Sequence, residues 1–168
     1  MSMSQILAPH LPYLRRYARA LTGSQHSGDV HVRAALTALL AGDQSLMEGV
    51  PPRVGLYRLF HAIWQSGAEH YDETAADTGP GAKTPEARLR SLSAAKRAAL
   101  LLTAVEAFSL EEAAFIIDES ADEVEAAILA AQKTIDSQLA SRVLIIEGEP
   151  IIALDLENLV TELGHKVV

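Results

Sequence analysis

Two carboxylates near the end of the chain have the spacing of a possible metal site. Glu147 and Glu149 flank Gly148 and directly follow the apolar run at residues 143–146. Such a compact β-branched run predicts a buried strand. Acids at the carboxyl end of a parallel strand lie where open α/β folds bind ligands, and their oxygens suit Mg²⁺. The alternative, which stays open, is a pair of solvated loop acids.

The rest of the sequence lacks recognisable catalytic motifs. Its six histidines show no zinc-binding spacing, and it has neither a glycine-rich phosphate loop nor a nucleophile elbow. We therefore expect no enzyme activity. The absence of cysteine excludes disulfides and suits a reducing cytoplasm. No apolar run reaches the roughly 18 residues that cross a bilayer, so we predict a cytoplasmic protein without membrane contact.

Residues 109–138 have the pattern of a DNA-reading helix pair but the opposite charge. Residues 105–138 contain nine acids and one base, Lys133, and the second helix begins Asp-Glu-Val-Glu at 122–125. Nucleic-acid affinity depends on Lys and Arg at the phosphates, so this charge argues against direct DNA binding. We predict instead a protein partner that contacts the acidic and apolar faces of the hairpin. The predicted contacts are Glu112, Ile116, Val124 and Ile128.

The arginines of the first long helix are a second charged group. Arg15, Arg16 and Arg19 lie off the apolar stripe of that helix. Residues 1–104 carry a net charge of only +3, within a chain of net charge −8. We interpret these arginines as a solvated face rather than a nucleic-acid patch.

Amphipathic helices that carry these charges are predicted along most of the chain. The sequence is 49% hydrophobic, with few aromatic residues, which favours helices and allows a sizeable core. Ser27 or Asp29 is expected to cap the second helix, and capping boxes are expected at Ser109 with Glu112 and at Ser120 with Glu123. Tyr57, Phe60 and Trp64 share one helix face and are predicted to be core residues. The predicted helices span 4–21 (regular from near residue 12), 28–41, 53–66, 86–92, 94–107, 109–117 and 121–138.

Changes in composition predict the domain bounds. Residues 68–85 are rich in Gly, Pro and acids and poor in large apolar side chains, so they predict a linker. It separates a helical domain at 1–67 from a second at 86–139. Residues 140–168 read as strand 143–146, helix 151–163 and strand 165–168, the opening of a parallel α/β domain. Because two strands bury little apolar surface, their unpaired edges could pair with another copy of the chain.

Four stretches resemble parts of known regulators. The sequence LRRYARALTG at 14–23, followed by Gly28-Asp29, and the segment 52–60 resemble region 2 of extracytoplasmic-function sigma factors. Residues 109–135 resemble region 4, and residues 142–168 resemble the first strand, helix and second strand of a two-component receiver. The order, sigma-like and then receiver, is similar to the PhyR family of alphaproteobacterial general stress response regulators.

That resemblance implies a mainly α fold: two sigma-factor-like helical domains, followed by a truncated receiver fragment. It implies an anti-anti-sigma role in transcription regulation, in which the sigma-like part mimics a sigma factor and sequesters the anti-sigma factor NepR. An upstream histidine kinase would phosphorylate the full-length protein. The alternative is a genuine DNA-binding extracytoplasmic-function sigma factor.

The sequence departs from the receiver pattern in two ways. Gly148 stands where receivers carry a second acid, so Glu147 alone makes an incomplete metal site. The phosphoacceptor Asp would lie beyond Val168. We therefore expect no bound cofactor, since Mg²⁺ belongs to a complete receiver. The resemblance also implies that an unphosphorylated receiver restrains the sigma-like part, and we expect that restraint to be missing here.

Overall fold

The computed structural model describes residues 3–42, 45–67 and 84–168, which are mainly α-helical. None of the helices in these ranges is long and apolar enough to cross a membrane. The elements, in chain order, are α1 (Met3–Leu7), a 3₁₀ turn (Ala8–His10), α2 (Leu11–Thr22), α3 (Gln25–Ala41), α4 (Pro52–Gly67), α5 (Pro85–Arg90), α6 (Ala94–Leu100), a π-helical turn (Leu101–Val105), α7 (Leu110–Ile117), α8 (Ala121–Leu139), β1 (Arg142–Val143), α9 (Pro150–Glu162) and β2 (Lys166–Val167).

The chain divides into two compact units, residues 1–131 and 132–168. In the first unit, helices from both sides of the predicted linker share one apolar core, in which α2 packs on α3 and α4 packs on α7. The linker at 68–85 lies outside the described residues, except for Thr84 and Pro85, which begin α5. The bounds 1–67, 86–139 and 140–168 stay our proposal for the domains.

Helix starts follow the capping residues, with one difference from the prediction. Ser24, rather than Ser27 or Asp29, caps α3, and its side chain accepts a hydrogen bond from the backbone N–H of Ser27 at 3.3 Å. The helix begins three residues earlier than expected, which places Asp29 on its second turn. There Asp29 accepts hydrogen bonds from Arg15 and Arg19 instead of capping.

The helix predicted at 94–107 is α-helical only as far as Leu100. After α6 the chain forms one π-helical turn, and Ala107 then takes a left-handed backbone conformation with φ +55°. This conformation costs a residue with a Cβ about 1 kcal/mol, so it persists only where surrounding contacts hold it. Glu106 and Phe108, on either side, are both buried and supply those contacts.

Glu106 is a buried carboxylate that joins the two sides of the first unit. Its side chain is 0% exposed. Oε1 accepts from Nε and Nη2 of Arg16 at 3.2 and 2.7 Å, and Oε2 accepts from the Tyr57 hydroxyl at 2.9 Å. Arg53 donates to the Glu106 backbone carbonyl and lies 3.5 Å from Oε2. These partners belong to α2 and α4, so the contact fixes the start of the hairpin against the first helices.

Aromatic rings fill the core beneath this contact, as predicted. Tyr57 and Phe60 are fully buried, and Trp64 packs at the margin of the core. His61 lies among them, with Nε2 2.5 Å from the Tyr17 hydroxyl. Burial lowers the pKa of His61 to about 3 and raises that of Tyr17, so both stay uncharged near neutral pH. Within the described residues, His61 Nδ1 has no hydrogen-bond partner.

The second unit is a strand–helix–strand segment. β1 and β2 pair in parallel, with Arg142 opposite Lys166 and Val143 opposite Val167. The parallel pair and the intervening helix are confirmed, but the predicted strands at 143–146 and 165–168 are too long. Each observed strand has two residues, because a two-stranded pair provides no buried face for the remainder of the apolar run. Ile146, predicted to be buried, is 88% exposed.

Gly28 allows α2 and α3 to approach closely, and this generates the first prediction. A Cβ at Gly28 would lie 2.7 Å from the Arg19 backbone nitrogen, whereas one at Gly55 would meet only the flexible Leu46 side chain at 3.4 Å. We expect Gly28→Ala to lower the free energy of unfolding by about 2–3 kcal/mol. Gly55→Ala, the matched control within a helix, should cause no loss, because alanine favours helix by about 1 kcal/mol. Urea unfolding of both variants measures this, and equal effects would refute the close approach.

The second prediction concerns the buried carboxylate. Glu106→Gln leaves Arg16 and Arg53 without their counter-charge, so we expect it to lower the free energy of unfolding by about 2–3 kcal/mol. Asp29→Asn is the control, because Asp29 also accepts from two arginines but its side chain is 22% exposed. Its loss should be much smaller, as for other solvated ion pairs. Denaturant curves in which both variants lose the same stability would contradict the proposed role of Glu106.

The third prediction is a pH dependence of stability that comes from His61. The unfolded chain protonates this ring below about pH 6.5, whereas the folded chain resists protonation down to about pH 3. Stability is therefore lost as the pH falls below 6.5. The contribution of His61 between pH 6.5 and 5 should be about 2 kcal/mol. His61→Gln removes the titration, so its unfolding free energy should fall less over this range. Parallel slopes for the two proteins would show that His61 is not buried as a neutral group.

Candidate protein-binding surface

The hairpin of α7 and α8 is fixed by two capping boxes, both as predicted. Ser109 Oγ accepts from the backbone N–H of Glu112 at 3.2 Å, and Glu112 Oε2 accepts from that of Ser109 at 2.9 Å. Ser120 and Glu123 repeat the arrangement at 3.3 and 2.9 Å. Each box satisfies N–H groups that have no partner within the helix and so fixes where the helix starts.

The outer surface of the hairpin is strongly acidic. The acids exposed there are Glu111, Asp118, Glu119, Asp122, Glu123 and Glu125. The neighbouring carboxyl of Glu123 raises the pKa of Glu119, whereas the Ser120 hydroxyl, which donates to Glu123 Oε2, lowers the pKa of Glu123. The first turn of α8, which would read bases in a DNA-binding pair, therefore presents carboxylates to solvent. A phosphate backbone would be repelled there.

The four predicted contact residues occupy different environments. Glu112 is half-buried and held in its capping box, and Ile128 is half-buried against the core. Ile116 and Val124 are each 1% exposed and belong to that same core. The structure thus gathers the three apolar residues around one core, but in this conformation only Glu112 and Ile128 offer surface to a partner.

Arg58 of α4 forms hydrogen bonds to the turn between α7 and α8. Its guanidinium donates to the Phe115 backbone carbonyl and to Asp118 Oδ1, the latter at 2.6 Å, and it stacks 4.3 Å from the centre of the Phe115 ring. Asp118 has φ +62° and ends α7. The turn between the two hairpin helices is therefore held by the first half of the sequence, which keeps the acidic surface in a fixed position.

Arginines along α2 form a second charged surface, which we call the α2 arginine face and define as Arg15, Arg16 and Arg19 with Pro12. Together they line a surface cavity of about 380 Å³. Asp29 accepts from Arg15 at 3.3 and 3.1 Å and from Arg19 at 3.1 and 2.8 Å. These bonds keep the pKa of Asp29 far below its usual range.

The arginines are partly exposed, as the interpretation of a solvated face predicts, but their partners were not predicted. Arg15 and Arg19 bind Asp29, and Arg16 binds the buried Glu106. One signal was present in the sequence: Glu106 follows a long apolar stretch and precedes Phe108, a position that is usually buried. The identity of its partners depends on contacts across some fifty and ninety residues, which spacing alone does not give.

The predicted metal residue Glu147 makes only local contacts. Its Oε1 accepts from the backbone N–H groups of Gly148 and Glu149 at 2.7 and 3.0 Å. Among the residues that the structure describes, no group of three or more His, Cys, Asp or Glu side chains could hold a metal ion. Glu147 as part of an incomplete site stays a prediction.

Comparison with known protein families gives two adjacent matches. Residues 7–61 match the sigma2 domain of PhyR, and residues 89–138 match the sigma-like domain of the response regulator PhyR. The two matches cover the helices of the α2 arginine face and of the acidic hairpin.

Similar proteins agree with these matches. The chain is 41% identical to the phyllosphere-induced regulator PhyR of Methylorubrum extorquens, over all of this chain and 62% of that protein. It is 40% identical to PhyR of Bartonella quintana, solved in complex with the anti-sigma factor NepR, with a TM-score of 0.79 over 99% of this chain and 63% of that one. It is 42% identical to PhyRSL of Sphingomonas sp. Fr1, in an NMR structure with NepR, with a TM-score of 0.63 over 81% of this chain and 88% of that one.

The chain thus spans somewhat less than two thirds of the length of the first two proteins. The resemblance inferred from the sequence motifs and their order is confirmed by the family matches and by the sequence identity. The mainly α fold, with sigma-like helices followed by a short α/β segment, is confirmed as well. The chain belongs to the PhyR family of response regulators.

Proposed function

We propose that this chain is an anti-anti-sigma factor, whose sigma-like residues 1–139 bind an anti-sigma factor of the NepR type and so release the sigma factor that it inhibits. The observation that carries this proposal is the acidic surface on a helix–turn–helix of sigma-like shape. It keeps the form that a sigma-binding partner recognises and lacks the charge that promoter DNA requires. The relatives solved as complexes with NepR support the same partner.

The genuine sigma factor is the second candidate. It shares the helical arrangement, but its region 4 must approach phosphates with the first turn of the second hairpin helix. Here that turn carries Asp122, Glu123 and Glu125, all exposed. The charge of this turn favours the protein-binding function over DNA binding.

The remaining parts of the proposal follow from this role. The protein acts in the cytoplasm as part of a two-component system, without catalysis of its own, and receives its signal from a histidine kinase. Glu112 and Ile128 contact the partner directly. Ile116 and Val124 reach it only if binding opens the hairpin core in which they lie.

The short strands β1 and β2 leave an edge through which two copies could associate.

The fourth prediction tests the partner. Calorimetric titration of this chain with purified NepR from Bartonella quintana and from Sphingomonas sp. Fr1 should give one-to-one binding with a dissociation constant below about 1 μM, as expected for a specific interface of standard size. A gel-shift experiment with promoter DNA at physiological salt should show no complex. The absence of heat with either NepR at micromolar concentrations, or a specific DNA complex, would contradict the proposal.

Matched variants separate the hairpin from the rest of the surface in the same titration. Ile128→Ala shortens a half-buried side chain of α8 and should weaken NepR binding about fivefold, the effect of about 1 kcal/mol. Leu40→Ala is the control, because Leu40 is an exposed leucine on α3. If Ile128→Ala binds NepR as tightly as Leu40→Ala and the wild type do, with folding checked by thermal unfolding, Ile128 does not belong to the interface.

A further inference from the structure

We propose that the α2 arginine face is a docking surface for a carboxylate-bearing segment of the anti-sigma partner. This inference rests on the proposed function and adds a second contact region with its own chemistry. The acidic hairpin repels negative charge, whereas the α2 arginine face attracts it. A partner that touches both must itself carry an acidic segment on the side that meets α2.

The arginines keep hydrogen-bond donors for such a segment. The bonds of Arg15 and Arg19 to Asp29, and those of Arg16 to Glu106, engage Nε and Nη2 of each guanidinium. A guanidinium has five N–H donors. Within the described part of the chain, the Nη1 groups of these three arginines make no hydrogen bond. Arg15 and Arg16 are about half exposed, so these donors can reach a ligand from solvent.

The same contacts hold the arginines in place before any partner arrives. Asp29 accepts two hydrogen bonds from each of two arginines, and Glu106 fixes the third from below. A long arginine side chain loses considerable rotamer freedom when it binds a ligand. Because that freedom is already restricted here, a carboxylate that docks between the guanidinium groups causes a smaller entropy loss.

The outward charge of this surface is positive. Three guanidinium groups face two carboxylates, of which that of Glu106 is wholly buried and that of Asp29 is 22% exposed, so the surface keeps a net positive charge. Tyr13 borders the surface, half exposed, with the Arg16 guanidinium 5.4 Å from its ring centre. The combination of cations with an aromatic edge suits a peptide that presents carboxylates beside apolar side chains. Arginine binds carboxylates with two parallel hydrogen bonds, which also selects orientation.

A protein segment fits this surface better than nucleic acid does. The depression between these arginines is open to solvent, and its cations are held by Asp29 and Glu106 in fixed positions that suit single carboxylates. Residues 105–131 of the same unit contain eight acids and no base, and this charge opposes the approach of any long polyphosphate. A partner with separate acidic and basic segments meets both surfaces without repulsion.

The fifth prediction compares two arginines of one compact unit. Three forms of this chain, namely the wild type, Arg15→Gln and Arg33→Gln, are titrated with NepR from Bartonella quintana and from Sphingomonas sp. Fr1. Each titration is done at low and at physiological salt. Arg15 belongs to the α2 arginine face, whereas Arg33 is an exposed arginine on α3 outside it. We expect Arg15→Gln to weaken binding about tenfold and to reduce the salt dependence of the dissociation constant. Arg33→Gln should stay within about twofold of the wild type, and Arg15→Lys should recover part of the loss.

The outcomes separate this inference from the proposed function. If the wild type binds NepR and all three variants bind equally well with the same salt dependence, the docking surface is refuted and the proposed function stands. If the wild type fails to bind either NepR, both are refuted. A parallel titration with duplex DNA should give no binding, and DNA binding that Arg15→Gln abolishes would overturn the assignment to a protein carboxylate. Unchanged thermal unfolding of Arg15→Gln would confirm that its folding is intact.

Discussion

Glu106 is fully removed from solvent and accepts hydrogen bonds from Arg16 of α2 and Tyr57 of α4, with Arg53 close by. A buried carboxylate is tolerated only when such partners compensate for its lost hydration. It sits between a π-helical turn and the left-handed Ala107, where the backbone would relax without that anchor. The α7–α8 hairpin packs on the first helices through the shared apolar core, and this contact, together with the hydrogen bonds of Arg58 to the hairpin turn, fixes its position there.

The fixed hairpin gives the first unit two surfaces of opposite charge. The outer side of α7 and α8 presents carboxylates where a DNA-binding helix pair presents Lys and Arg side chains. In contrast, α2 presents arginines that are held by Asp29 and Glu106. A sigma-like shape without a phosphate-binding charge is what the proposed mimicry of a sigma factor requires. Charge complementarity of this kind chiefly determines which partner associates and in which orientation.

Local features of the sequence predicted most of the fold. The capping boxes at Ser109 and Ser120 and the aromatic face around Phe60 depend on spacing within one helix, and the structure confirms them. The predicted hairpin contacts were harder to place, because Ile116 and Val124 satisfy the same apolar pattern whether they face a core or a partner. The Glu106 contact joins residues far apart in sequence, and the lengths of β1 and β2 depend on neighbouring strands rather than on their own residues.

In the proposed function, this chain releases a sigma factor by occupying its inhibitor. A competition experiment tests it most directly: a fluorescently labelled sigma factor is bound to NepR, this chain is added, and the free sigma factor is measured by anisotropy. We expect release that saturates at one equivalent of chain per NepR. Retention of the sigma factor on NepR at a large excess of this chain would contradict it.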